Sequence, residues 1–172
     1  WVKKFFKQHG IEFAHVGNTA HVPKKELRCH KLWSDFCKGT PMSVRQIKDF
    51  WSYMGSKVIV HGRGDETFEE WVDREYTIDY LIYHKYLKEN AGSQRDFALI
   101  RTKTEEDRIL YINKILRNGC DLDGDIRVKY ANIHTVKGLT FDNVIVDDTR
   151  FRPEDYFSQL RLKYVAYSRG KF

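Results

Sequence analysis

Short apolar runs alternate with amphipathic stretches along the chain, and this pattern predicts a structure with both strands and helices. Apolar residues three or four positions apart form one face of a helix, whereas continuous runs of valine, isoleucine and aromatic residues fit buried strands. By these criteria helices are predicted over 43–54, 67–90 and 104–118. Strands are predicted over 57–61, 97–101, 128–134 and 143–147, and around 164–166.

Capping residues indicate where these helices begin. Ser43 and Thr67 each precede a glutamine or glutamate by three positions, the spacing at which the two residues cap each other's backbone N–H. The helix from Thr67 is expected to break at 76–77. Thr104 can cap the third helix and Gly119 follows its end. The apolar stripe of that helix consists of Ile109, Ile112 and Leu116.

The order of these elements predicts an α/β fold with a mainly parallel sheet flanked by helices. The apolar run over 144–146 suits a strand that is covered on both faces. Helices between strands favour parallel connections, and ligands of such sheets bind at the carboxyl ends of the strands. The polar residues that follow the apolar runs are therefore candidate site residues: Arg101-Thr102, His134-Thr135 and Asp147-Asp148.

Length and composition predict one ordinary domain that is soluble and cytoplasmic. A chain of 172 residues can bury a core without disulfides or a structural metal. Its sequence has neither an apolar run near the ~18 residues of a membrane span nor a signal-like N-terminus. The three cysteines cannot all pair, which favours reduced thiols. Because the chain starts with Trp1, we expect a piece of a longer protein.

Charge is spread unevenly along the chain, which bears on its partners. The formal net charge is +6, yet residues 1–38 hold eight Lys/Arg against three Asp/Glu, and residues 65–90 hold three against eight. A basic surface can neutralise nucleic-acid phosphates and release their counterions, whereas most charge clusters are solvated surface. Charge alone leaves both interpretations open.

Two stretches have metal-binding residue types without metal-binding spacing. The acidic stretch 121–125 would need Gly at the sixth and Glu at the twelfth position of an EF-hand loop, where this chain has Ile126 and Asn132. An Asp-Gly turn is therefore the better interpretation. Cys29 and Cys37 lack the close Cys-x-x-Cys pair of zinc sites. We predict no metal site.

Residues 131–147 are the most informative stretch, since they carry several phosphate-binding residue types between two predicted strands. A glycine such as Gly138 lets the backbone approach a phosphate closely, and Lys137 and Thr135 can donate to phosphate oxygens. The same residues also fit an ordinary polar crossover. The chain contains no GxxxxGK[ST] sequence, so it cannot form a P-loop and should not hydrolyse ATP by itself.

Three segments resemble motifs of superfamily 1 DNA helicases of the UvrD/Rep/PcrA kind. Residues 134–144, HTVKGLTFDNV, are similar to their H-x-x-K-G-L-E-F-x-x-V motif V. Residues 160–170, LRLKYVAYSRG, are similar to their L-x-Y-V-A-x-T-R-A motif VI, and residues 97–102, FALIRT, resemble the arginine-ending strand of motif IV. The segments follow in the family's order, so the resemblance covers residues 95–172 well and 25–94 loosely.

The resemblance implies that residues 1–172 are the second, C-terminal RecA-like domain of an ATP-dependent DNA helicase. This is a P-loop NTPase-type fold that lacks the P-loop itself, and residues 1–25 would connect it to the first RecA-like domain. That first domain, in the same parent chain, would bind ATP and Mg²⁺. Single-stranded DNA is the implied partner, no membrane is involved, and this chain alone would be inactive.

The resemblance also implies roles for individual residues. Arg101 and Arg169 would be catalytic, reaching the γ-phosphate across a cleft as an arginine finger does. Arg169 has a structural alternative, because a basic residue beside Gly170 at the end of a helix is favourable with the helix dipole. The nucleotide would also contact Lys137, Gly138 and Thr140, and the DNA-binding residues would be His134 and Thr135.

Some features leave alternatives open. Thr140 in place of the usual glutamate resembles the RecD/Dda branch, whereas Lys137 is the UvrD-like choice, so the direction of translocation stays open. Tyr164 and Tyr167 could stack on bases, but their spacing near Leu160 is more typical of core residues. The alternatives to a helicase are a non-catalytic nucleic-acid-binding α/β module and a metal nuclease that uses Asp142, Asp147 and Asp148, which lack an accompanying Glu-x-Lys arrangement.

Overall fold

The computed structural model describes residues 2–17, 20–55, 58–63, 68–69, 71–93, 106–146 and 156–170. These residues group into two units. The first unit comprises Trp1–Glu12 and Val22–Asp125, and the second comprises Phe13–His21 and Ile126–Phe172. Each unit is thus assembled from two separate stretches of the chain.

Helices dominate the first unit, and a short parallel sheet with one helix marks the second. The first unit contains α1 (Val2–His9), α2 (Lys24–Cys37), β2 (Met42–Ser43), α3 (Val44–Trp51), β3 (Glu75–Tyr76), α4 (Ile78–Tyr83), a 3-10 turn (Ala91–Ser93) and α5 (Glu106–Arg117). The second unit contains β1 (Phe13–His15), β4 (Val128–Tyr130) and α6 (Tyr156–Tyr167). Every helix in the described part of the chain is too short or too polar to cross a membrane.

The aromatic core of the first unit lies between α2 and α3. The rings of Trp33 and Phe36 on α2 each lie 5.6 Å from the ring of Phe50 on α3, measured between centroids. Such buried side chains contribute about 1.5–3 kcal/mol each to the free energy of unfolding. The predicted capping box of α3 is confirmed, because the Gln46 N–H donates to Ser43 Oγ and the Ser43 N–H donates to Gln46 Oε1.

Lys114 on α5 and Asn118, which follows this helix, cap the C-terminal end of α1. Lys114 Nζ donates to the carbonyl oxygen of Gln8 at 3.0 Å, and Asn118 Nδ2 donates to those of His9 and Gly10 at 2.9 and 3.1 Å. These bonds satisfy carbonyl groups that the end of a helix leaves without an intrahelical partner. Gly10 has a φ of +62°, and a Cβ atom there would lie 2.6 Å from Lys114 Cβ. Only glycine therefore fits this close approach.

The predicted third helix is confirmed as α5, and its predicted first residue, Thr104, lies outside the described residues. Ile109 and Ile112 of the predicted stripe are buried. Ile115 completes the stripe in place of Leu116, which is only half-buried.

The helix predicted from Thr67 is wrong over residues 68–69 and 71–76; Thr67 and Glu70 themselves lie outside the described residues. Phe68 has a φ of 63°, which no right-handed helix contains. Its buried ring packs between Trp51 and Trp71, at centroid distances of 5.3 and 4.8 Å. Phe68 and Trp71 have the three-residue spacing of one helix face, yet they pack together from a backbone segment that is not a helix.

Helical structure begins only after the predicted break. β3 pairs with β2 in an antiparallel ladder that sets Tyr76 opposite Met42. Thr77 then caps α4, because its Oγ1 accepts from the Tyr80 N–H at 3.3 Å. α4 ends at Tyr83, and Lys85 follows with a φ of 60°, so the helix does not continue to residue 90.

The second unit is organised by the parallel pairing of β1 with β4. Phe13 lies opposite Val128, Ala14 opposite Lys129, and His15 opposite Tyr130. The His21 ring stacks on Phe13 at 4.8 Å, and the Tyr130 ring meets Phe13 edge-on at 5.6 Å. The described residues therefore form a mixed α/β structure with a small parallel sheet. Its assignment as one RecA-like domain over residues 1–172 stays a prediction.

The strand predictions have mixed outcomes. The stretch 128–134 is a strand only up to Tyr130, and residues 143–146 form no strand within the described part of the chain. Residues 164–166 lie inside α6, so the strand predicted there is wrong. In the stretch 57–61, the described residues contribute only an isolated bridge between Ile59 and Leu87. The stretch 97–101 lies outside the described residues.

Candidate nucleotide and nucleic-acid site

The residues that resemble motif V follow β4 as a series of turns, which we call the turn segment (residues 132–140). The backbone N–H groups of three residues each donate to the carbonyl oxygen three positions earlier. These bonds join Thr135 to Asn132 at 3.2 Å, Lys137 to His134 at 3.4 Å and Leu139 to Val136 at 3.0 Å. The carboxyl end of β4 therefore leads directly into the candidate site, as expected for a parallel strand.

Asn132 fixes the first of these turns, and the sequence analysis did not single it out. Its Oδ1 accepts from the Thr135 N–H at 2.8 Å and from the Thr135 hydroxyl at 2.7 Å. Asparagine side chains hold turns in this way, and its position three residues before a threonine was the available signal. Because Thr135 has one hydroxyl proton, it can donate to a phosphate only after this bond breaks.

The middle of the turn segment requires a glycine for its backbone conformation. Gly138 has a φ of +84°, and a Cβ atom there would meet no atom within 4 Å. The requirement is therefore conformational, and the space beside Gly138 is open to a ligand. The side chains of His134, Lys137 and Thr140 are exposed, so each can meet an anionic ligand at the surface.

A backbone pair joins the turn segment to the end of α6. The Phe141 N–H donates to the carbonyl oxygen of Arg169 at 2.7 Å, and Phe141 forms a parallel bridge with Gly170. The two segments that resemble motifs V and VI are therefore in direct contact.

The Arg169 side chain is held by three hydrogen bonds to described residues. Its Nε donates to the Val165 carbonyl oxygen at 3.1 Å, its Nη2 to Ser168 Oγ at 2.8 Å, and its Nη1 to the Leu139 carbonyl oxygen at 3.4 Å. The first of these bonds is the helix-end contact that the structural alternative predicted. A guanidinium carries five N–H donors, so the bonds to described residues leave two of them for a further anionic partner.

Of the two predicted arginines, only Arg169 lies in the described part of the chain. Arg101 lies outside it, so the meeting of the two arginines stays a prediction. The other predicted site residues all lie in the turn segment: His134, Thr135, Lys137, Gly138 and Thr140.

The loop at residues 61–63 of the first unit is held by two contacts with aromatic side chains. The position of this loop, at His61 and Gly62, is fixed by Arg63, whose carbonyl oxygen accepts from Trp51 Nε1 at 3.2 Å. The Arg63 guanidinium lies 4.6 Å from the centroid of Tyr86. These contacts are those of an ordinary loop between structural elements.

The acidic stretch after Cys120 is a turn organised by its first side chain. Asp121 Oδ1 accepts from the backbone N–H groups of Asp123 and Gly124 at 3.0 and 2.9 Å, as the Asp-Gly turn interpretation predicts. In the part of the chain that the structure describes, no group of three or more His, Cys, Asp or Glu side chains could hold a metal ion. Asp142 is exposed, whereas Asp147 and Asp148 of the nuclease alternative lie outside the described residues.

The expectation that the tyrosines of α6 belong to a core is wrong. Tyr164 is 74% exposed and Tyr167 is 57% exposed. The available signal was the interleaving of these tyrosines with Arg161 and Lys163 in a helix that has no acidic residue.

The chain matches no protein-family model, no curated protein and no solved structure. The resemblance to superfamily 1 helicases therefore rests on the motif residues themselves. The structure adds one further relation between them, the contact of Phe141 with Arg169.

Proposed function

We propose that residues 1–172 form the C-terminal motor domain of an ATP-dependent DNA helicase, with a RecA-like fold. The observation that supports this proposal is the hydrogen bond from Phe141 to Arg169, because it joins the segments that resemble motifs V and VI. The resemblance implies that residues of both segments lie beside one nucleotide, and the contact brings the two segments close together as that role needs.

In the proposed reaction, Arg169 stabilises the negative charge that develops on the γ-phosphate of ATP. A guanidinium is always charged and presents its donors in a fixed fork, and a pre-oriented donor needs no reorganisation when charge develops. The bonds to Val165 and Ser168 fix the orientation of the side chain. Arg101 would be the second arginine, and Lys137, Gly138 and Thr140 would lie beside the nucleotide. ATP and Mg²⁺ would be held mainly by the first RecA-like domain.

The same contact offers a route from ATP turnover to DNA movement. A shift of Arg169 on loss of the γ-phosphate would be passed through the Phe141 bond to the turn segment. His134 and Thr135 in that segment would then change their grip on single-stranded DNA. Closure and opening of a cleft between two domains is a known type of motor cycle.

The charge of the second unit supports the nucleic-acid part of the proposal. Over residues 13–21, 126–146 and 156–170 the sequence has six Lys/Arg and one Asp. Binding that depends on such charge weakens steeply as the salt concentration rises, because each neutralised phosphate releases a counterion.

Strand displacement by the full-length natural protein tests the proposed function. The substrates are two labelled duplexes, one with a 3′ and one with a 5′ single-stranded tail, since the motif residues leave the polarity open. We expect ATP-dependent displacement on one of them, and loss of displacement in Arg169→Ala but not in Arg117→Ala, an exposed arginine at the end of α5. Absence of displacement on both substrates, or full displacement by Arg169→Ala, would contradict the proposal.

A non-catalytic nucleic-acid-binding α/β module is the second candidate, and the basic charge of the second unit favours it equally. The two candidates differ in their need for a P-loop. The helicase requires a GxxxxGK[ST] sequence elsewhere in the parent chain, and its Lys→Ala substitution should stop strand displacement. The module predicts DNA binding that ATP does not change.

A further inference from the structure

α6 carries a row of exposed apolar and aromatic side chains that the proposed function leaves unused. Leu160 is 43% exposed, Tyr164 is 74% exposed and Tyr167 is 57% exposed. Residues three and four positions apart are neighbours on a helix surface, with about 5–6 Å between their Cβ atoms. The three side chains therefore form one row, which we call the α6 row.

Within α6 itself, the charged residues beside the α6 row are all basic. Arg161 precedes Tyr164 by three positions and Lys163 precedes Tyr167 by four, so each tyrosine has a basic residue about one turn away on the helix. α6 contains no Asp or Glu. Aromatic faces interleaved with basic side chains are the arrangement that binds single-stranded nucleic acid, in which bases stack on rings and phosphates contact cations.

We propose that Tyr164 and Tyr167 stack on unpaired bases of a single-stranded nucleic acid, with Arg161 contacting its phosphates. Bases must be unpaired, because a duplex buries their faces in its own stack. These residues are other than His134 and Thr135 of the turn segment, and stacking on them needs no nucleoside triphosphate. It therefore goes beyond the proposed motor function and holds equally for the second candidate.

A nucleic acid fits the α6 row better than a protein partner, by comparison with another exposed tyrosine. Tyr83 on α4 is 80% exposed, but Asp79 lies one helical turn before it. The stretch 65–90, which contains both residues, has eight acidic and three basic residues. An acidic surface repels phosphates. Exposed apolar patches that mark protein interfaces are wide and apolar, whereas the α6 row has a single aliphatic residue flanked by cations.

Binding of the 172-residue chain to short labelled oligonucleotides tests this inference by fluorescence anisotropy. Oligo(dT) is compared with an abasic strand of equal length and charge, because only the former offers bases to the rings. We expect tighter binding of oligo(dT), and a loss of about fivefold to 150-fold in Tyr164→Ala, which corresponds to about 1–3 kcal/mol per stacked base. Tyr164→Phe should retain the affinity, since it keeps the ring. Tyr83→Ala is the matched control and should leave the affinity unchanged.

Several outcomes would overturn the inference. Equal affinity of the unaltered chain for oligo(dT) and the abasic strand would exclude stacking without the use of any variant. Unchanged affinity in both Tyr164→Ala and Tyr167→Ala would show that the rings of the α6 row do not contact the nucleic acid. Oligo(U) is measured beside oligo(dT) to separate RNA from DNA as the ligand, and the ring should contribute to both. A full-length protein without helicase activity would leave these results unaffected, so the two proposals fail separately.

Discussion

The backbone N–H of Phe141 lies 2.7 Å from the carbonyl oxygen of Arg169, 28 residues further along the chain. This hydrogen bond is the structural relationship on which the proposed coupling of ATP turnover to DNA depends. It predicts slow hydrogen exchange at the Phe141 amide. Its neighbours Thr140 and Asn143, in exposed positions, should exchange faster in the same measurement. Equal rates at the three amides would mean that the bond is not formed in solution.

Substitution of Gly10 should weaken the junction of α1 with α5. Gly10→Ala places a Cβ atom 2.6 Å from Lys114 Cβ and forces a positive φ on a non-glycine residue. We expect a loss of about 2–5 kcal/mol in the free energy of unfolding, the sum of overpacking and backbone strain. Gly39→Ala is the control, because Gly39 also has a positive φ but open space around it; its loss should be about 1–2 kcal/mol. If Gly10→Ala and Gly39→Ala lost similar free energies in urea unfolding, Gly10 would not lie close to Lys114 in solution.

The ion pair of Glu26 with Arg108 should stabilise the packing of α2 on α5. Arg108 Nε and Nη2 donate to the two carboxylate oxygens at 2.9 and 2.6 Å, and the hydrogen bond to Glu26 raises the pKa of Arg108 above its usual range. Arg108→Leu leaves a carboxylate that is 14% exposed without its partner. We expect a loss of about 1–3 kcal/mol, between the values for exposed and for buried pairs.

Arg117→Leu on the same helix serves as the matched control for that measurement. Arg117 is exposed, so Arg117→Leu should lower the free energy of unfolding by no more than about 0.5 kcal/mol. Glu26→Gln should recover part of the stability lost in Arg108→Leu, because it removes the uncompensated charge. A double variant no more stable than Arg108→Leu would contradict this explanation.

Cys29 should be the least reactive thiol of the chain. Its side chain is buried and its Sγ donates to the Asp49 carbonyl oxygen at 3.1 Å. Burial, with the nearby Asp49 carboxylate, raises the pKa of Cys29 to about 11. Since the thiolate is the reactive form, alkylation of the folded chain near pH 8 should reach Cys37 before Cys29. Equal labelling of the two would contradict the buried, protonated thiol.

The same pKa shift predicts a change of stability with pH. The folded chain keeps a proton on Cys29 that the unfolded chain has released, so stability is complete below the unfolded pKa. It falls as the pH rises through the interval up to the folded pKa of about 11. Urea unfolding at rising pH should therefore show a steeper loss for the natural chain than for Cys29→Ala. Equal pH dependence of the free energy of unfolding in the two chains would show that Cys29 does not contribute to it.

Features that depend on neighbours in the sequence could be predicted, whereas features that join distant segments could not. The cap of α3 was predictable because Ser43 and Gln46 bond each other across three positions. The strand at 128–130 was predictable from its composition, but its pairing with Phe13–His15 depends on a partner more than 100 residues away. Tyr164–Ala166 has the residue types of a strand, yet it continues a helix, since tertiary context overrides local propensity.

The candidate site follows the same division. The turn segment and Arg169 were identified from their residue types and motif spacing. The contact of Phe141 with Arg169, the bond between Asn132 and Thr135, and the exposure of Tyr164 all arise from the folded backbone. No pattern of apolar positions encodes them.

The rate of ATP hydrolysis by the full-length natural protein, with and without single-stranded DNA, tests the central claim most directly. We predict that DNA stimulates hydrolysis and that Arg169→Ala and Arg169→Lys reduce the stimulated rate by about a thousandfold or more, the effect of losing an arginine finger. Arg117→Ala should retain the rate, and DNA binding by the Arg169 variants should persist. A stimulated rate that survives both Arg169 substitutions would contradict the account.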